Sequence, residues 1–144
     1  MDETIFRLRL QALQHSLCPF QQAILNACVA CARSERMQIA EREVVVCSEA
    51  ASHARCQDLH GHLRHNFGFA LGVLHDDVPL PHAQEMRIQC GGLRGLGAML
   101  AADPEVKNVD ALLDQILQGE GSLEDIDFSA VVHAAREHYQ GRQR

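Results

Sequence analysis

The sequence predicts an all-α protein, a compact bundle of about five to six helices joined by short connections. Three observations carry that expectation. Aromatic residues make up only 4% of a chain that is 47% hydrophobic, so the core must be built from Ala, Leu, Ile and Val, a composition that suits helices better than strands. Apolar residues recur at helical spacing along most of the chain. The four prolines fall at the breaks between those periodic stretches rather than within them.

Taken in order, Ile5, Leu8, Leu13 and Leu17 lie on one stripe of a first amphipathic helix. The segment "CPF" interrupts it, because Pro19 suits the start of a helix and not its interior. A second helix begins near Phe20, with Ile24, Leu25, Cys28, Cys31, Ala32 and Ile39 on one side. "REVVVC" is then either a short extended connection or the end of that helix, since consecutive valines prefer an extended backbone. The clearest helix runs from about Ser48 to Leu74. At 100° per residue it sets Cys56, His60, Leu63, Phe67, Ala70 and Leu74 on one face, with His62 and His65 opposite.

Two prolines in "HDDVPLPHAQ" end it, and "CGGLRGLGAML" opens a fourth helix. Asp103 offers a cap with Pro104 as the first helical residue, and "NVDALLDQIL" forms a fifth helix that Gly119 and Gly121 stop. Ser122 and Asp125 supply a capping box for a last helix reaching Tyr139. At 144 residues the chain fits a single helical domain, residues 1–144, with a cysteine-rich half over 18–56 and an acidic helical third over 103–140.

The formal charge is −6, with 19 acids against 13 bases, which argues against sequence-independent binding of nucleic acid. Eight acids lie between Asp103 and Asp127 (Asp103, Glu105, Asp110, Asp114, Glu120, Glu124, Asp125, Asp127), accompanied by one base, Lys107. They form either a solvated helix face or a docking surface for a basic protein partner. The N-terminal stretch lacks the features of a secretory signal, and no apolar run approaches a membrane span, so a cytoplasmic chain with no membrane role is expected. In that reducing setting six cysteines are free, catalytic or metal-bound rather than paired as structural disulfides.

Those cysteines hold the functional information. Cys28 and Cys31 are three apart, so on a helix their thiols emerge as neighbours. If the second and third helices form a hairpin turning near Val44 to Val46, Cys31 lies about 18 Å and Cys56 about 13 Å from the turn. His60, one turn beyond Cys56, reaches the depth of Cys31. The expected metal ligands are therefore Cys28, Cys31, Cys56 and His60, with Cys47 or Cys18 as the alternative fourth ligand.

Five cysteines (Cys18, Cys28, Cys31, Cys47, Cys56) fall in the first 56 residues, and only Cys90 follows. Soft thiolates at irregular, wide spacings on helices suit an iron–sulfur cluster of the four-iron type better than a zinc knuckle. Such a protein would serve electron transfer, redox sensing or cofactor assembly. The alternatives are a structural zinc site, or a metal-free interaction module whose cysteines simply pack as small apolar residues.

Other groupings say less. His75, Asp76, Asp77 and His82 gather in a proline-stiffened loop, either a solvated polar segment or an imidazole–carboxylate metal site. Gly91, Gly92, Gly95 and Gly97 match no phosphate-binding loop and fit close helix packing, although Arg94 beside them leaves an anion site open. No residue pattern assigns a reaction class.

Overall fold

The valines at 44–46 mark the main departure from an all-helical chain. In the computed structural model, which describes residues 3–73 and 75–140, they lie in an antiparallel hairpin. Strand β1 is Ser34–Ile39 and β2 is Arg42–Cys47, in register from Ser34 opposite Cys47 to Ile39 opposite Arg42. Val44, Val45 and Val46 are all buried. The fold is mostly helical but not purely so.

The hairpin replaces what the periodicity assigned to a long second helix. That helix, α2, covers only Gln21–Leu25. It stops because Ala27 takes a left-handed conformation (φ 59°), and the amides of Cys28 and Val29 both turn back to the Ala23 carbonyl. Cys28 and Cys31 consequently sit on a loop, not on one helical face.

The first helix, α1 (Glu3–Ala12), buries no residue, and Ile5 and Leu8 are exposed. Arg42 of β2 ties it down, pairing with Glu3 at 2.9 Å and lying 4.4 Å over the Phe6 ring. Helix α3 (Ala50–Leu71) is the long central element and buries Cys56, Leu59, Leu63 and Phe67 along one stripe. Gly72 ends it in a left-handed conformation, with the Val73 amide returning to the Gly68 carbonyl. Buried Arg64 donates to the carbonyls of His75 and Val78, each at 2.9 Å, and so fastens the following loop to α3.

Helix α4 (His82–Met86) runs through one π-helical turn, Arg87–Gly91, into α5 (Gly92–Leu100). Helix α5 packs closely on α7 (Phe128–His138): a Cβ at Gly95 would lie 2.9 Å from the Val131 carbonyl oxygen. Asp103 accepts the Glu105 amide in a bend, but no helix starts at Pro104; α6 is Val109–Glu120. Gly121 closes it. Ser122 caps a short 3-10 turn, Leu123–Asp125, and Asp127 rather than Ser122 caps α7 by accepting the Ala130 amide. Leu59, Leu63, Ile88, Leu93, Leu96, Leu113, Ile116 and Val131 form the centre of the core. Each such side chain contributes roughly 1.5–3 kcal/mol by leaving water. Phe20 and Val45 join it from the cysteine-rich half. No described helix is long and apolar enough to cross a membrane.

Candidate metal centre

Four separate segments of the chain each bring one cysteine to the lining of a single small cavity. Cys18 follows α1 in a segment that pairs against β2: its amide donates to the Val45 carbonyl at 2.9 Å, and Leu17 bridges to Val46. Cys31 precedes β1, its carbonyl accepting the Ser34 hydroxyl at 2.7 Å, while the next amide, Ala32, donates to the Asn108 side chain at 3.1 Å. Cys47 ends β2; its amide donates to the Ser16 carbonyl at 2.7 Å and its thiol to the Glu49 carbonyl at 3.3 Å. Cys56 lies in the second turn of α3 and is buried. These four residues line one cavity of about 10 Å³, together with Phe20, Ser52, His53 and Asp110.

The thiols lie near enough to act on one another. Burial pushes the Cys18 thiol up to about 11, against a smaller lowering by the Phe20 amide, and charge on Cys31 and Cys47 raises it further. Burial pushes Cys56 up to about 12, reinforced by Cys18, Cys31 and Cys47 and opposed by Arg55. Two thiols, Cys18 and Cys56, that resist ionisation beside other cysteines are the electrostatic condition a bound cation relieves. All four are free. Among the described residues, no three His, Cys, Asp or Glu side chains form a group that could hold a single metal ion.

A polar wall borders the thiols. Asp110 of α6 is buried and accepts from Arg33 Nε at 3.3 Å and Arg55 Nη2 at 2.8 Å. Burial raises its carboxyl pKa, but Ser52, Arg33 and Arg55 together outweigh that and hold it below the usual carboxylate value. Arg55 also reaches exposed Asp114 at 2.6 Å, so two residues of the acidic third pair within the molecule, Asp110 buried and Asp114 at the surface. His53, buried one turn before Cys56, donates from Nε2 to the Leu17 carbonyl at 2.8 Å, so Nε2 carries the proton.

No family model matches the chain, and no curated protein or solved structure is similar to it.

Of the sequence-expected ligands, Cys18, Cys31, Cys47 and Cys56 line one cavity, whereas Cys28 and His60 lie outside it. Cys28 forms a disulfide with Cys90, contrary to the expectation of unpaired cysteines. The reason is the left-handed Ala27, which breaks the helical face that would have aligned Cys28 with Cys31. His60 does not line the cavity; its ring meets Phe20 edge-on at 5.7 Å and its Nε2 lies 3.2 Å from Glu85. The helical hairpin that equated the depths of His60 and Cys31 is a β-hairpin instead, so the depth argument does not apply. His75, Asp76 and Asp77 are exposed, with Asp76 paired to His65 at 2.9 Å. Sequence reasoning missed His53, Ser52 and Asp110. Only His53, three residues before Cys56 on the same helix, left a readable signal.

Proposed function

We propose that the protein binds an iron–sulfur cluster of the four-iron type through Cys18, Cys31, Cys47 and Cys56, and works in electron transfer, redox sensing or cofactor assembly. The observation that carries this reading is the common cavity lined by four free thiols from four separate elements. A four-iron cluster is bonded at its corners, so its thiolates stand apart around a central space. The wide, irregular spacing of the four cysteines along the chain favours the cluster over the zinc alternative. Deprotonation of the four thiols on binding supplies the negative charge that iron requires, and the Phe20 amide donates toward the Cys18 sulfur.

Anaerobic reconstitution with ferrous iron and sulfide tests the reading. The expected result is about four iron and four acid-labile sulfide per chain. Alanine at Cys18, Cys31, Cys47 or Cys56 should abolish binding, while Cys28→Ala should retain it. A colourless product lacking iron and sulfide overturns the proposal. One equivalent of zinc bound by the same four residues would replace the cluster with the structural zinc reading.

A further inference from the structure

The Cys28–Cys90 disulfide spans 62 residues of sequence and joins Cα atoms 6.0 Å apart. Its halves differ sharply in environment. Cys90 is fully buried, at 0% exposure. Cys28 is half-buried and lines a groove of about 460 Å³ between the 24–36 segment and residues 105–107. One sulfur is thus presented at a surface groove and the other is shielded behind it.

The backbone is irregular on both sides of the bond. Ala27, directly before Cys28, holds a φ of 59° that a non-glycine residue rarely adopts. Cys90 sits in the π-helical turn Arg87–Gly91. Single π turns and left-handed non-glycine residues both cost energy and gather where a site depends on them. The groove also carries Arg36, which pairs with Glu43 at 2.9 Å, and Lys107 beside Glu105.

We propose that Cys28–Cys90 is a thiol–disulfide exchange site, with the Cys28 sulfur attacked by a partner thiol entering the groove. The incoming thiolate bonds to Cys28 Sγ, the Cys28–Cys90 bond breaks, and its electron pair leaves on Cys90 Sγ, which takes up a proton. A second thiolate then attacks the partner's sulfur in the mixed disulfide and releases Cys28 as the thiolate. In sum, two thiols become one disulfide and the cystine becomes two thiols. Cys90 stays held beside Cys28 as an intramolecular thiol, so the mixed disulfide tends to revert. A dithiol, whose second sulfur attacks before that reversal, is the substrate class the site suits. The proposal does not rest on the cluster reading, because Cys28 lies outside the cavity of the other four thiols. Cys31 lines both spaces, so exchange at Cys28 takes place on the loop that also holds Cys31.

The test is reduction of the native wild-type protein by dithiothreitol, quenched by alkylation and read by peptide mapping. Direct attack through the groove makes the rate of cystine loss rise in proportion to dithiothreitol, about tenfold for a tenfold increase. A rate that levels off at low dithiothreitol, as when the bond opens only by unfolding, overturns the proposal. So does finding Cys28 and Cys90 unpaired after oxidation. As a second arm, Cys90→Ser treated with glutathione disulfide should carry glutathione on Cys28, whereas Cys28→Ser should carry none on Cys90. Modification of Cys90 in the folded Cys28→Ser protein would reverse the assigned roles and overturn the proposal.

Discussion

Asp110 shows how one side chain is committed by its surroundings. It belongs to the acidic stretch of the last third, yet it is 8% exposed and held between Arg33 and Arg55 beside the four thiols. Removing one member of a largely buried ion pair leaves the others uncompensated, which costs more than the pair contributes as a whole. Asp110→Asn should therefore destabilise the protein by about 2 kcal/mol, while exposed Glu124→Gln should change stability by less than about 0.5 kcal/mol. The carboxyl is held below its ordinary value of 3.8, so its contribution is present above that value and is lost as pH falls through the lower folded one. Urea denaturation of wild type and Asp110→Asn at pH 7 and in acid checks both points: the two curves should converge as pH drops below about 4. A difference that persists in acid would mean that Asp110 acts by packing and not by charge.

At the scale of elements, the hairpin positions the site. Ser34 and Cys47 pair at its open end, so β1 and β2 fix the spacing between the Cys31 loop and Cys47. Its two-residue turn places Ala40 and Glu41 at φ 50° and 70°, a conformation that favours Asn–Gly. The double substitution Ala40→Asn, Glu41→Gly should relieve that strain and raise stability by about 1 kcal/mol, read as a higher urea midpoint at unchanged slope. A lower midpoint would show that the turn is not strained. The same hairpin marks the limit of what the sequence reveals. Helices α3, α5, α6 and α7 are legible because apolar spacing and end signals such as Gly121 are local. β1, with the burial pattern of an edge strand and a single buried residue at Ile39, declares itself only through its pairing with the valines of β2. Nothing about alanine announces a left-handed residue, so the break at Ala27 that parts Cys28 from Cys31 was invisible. A disulfide bridging 62 residues leaves no local trace either, whereas the crowding of thiols before residue 56 includes the four that line the cavity.

Over the whole molecule, the four thiols make stability depend on pH in a way the rest of the core does not. Without a bound cation, the fold keeps Cys18 and Cys56 protonated, with their values raised from 9.0 to about 11 and about 12. Between pH 9 and those values the folded chain holds more protons than the unfolded one. Stability from these groups is therefore complete below pH 9 and falls as pH rises toward the folded values. Together the two thiols should cost the metal-free protein roughly 2–3 kcal/mol between pH 8 and pH 10. Once thiolates are bonded to iron they have already lost their protons, so on the cluster reading the loaded protein loses this dependence and binding itself releases protons. Urea unfolding at pH 8, 9 and 10, with Cys28–Cys90 kept oxidised, should give a falling series for the metal-free protein. Reconstituted protein should give a flat one, and metal-free Cys56→Ala about half the original slope. Equal slopes for wild type and Cys56→Ala would show that the buried thiols do not carry the alkaline transition, and that the cavity between them is not set against their ionisation.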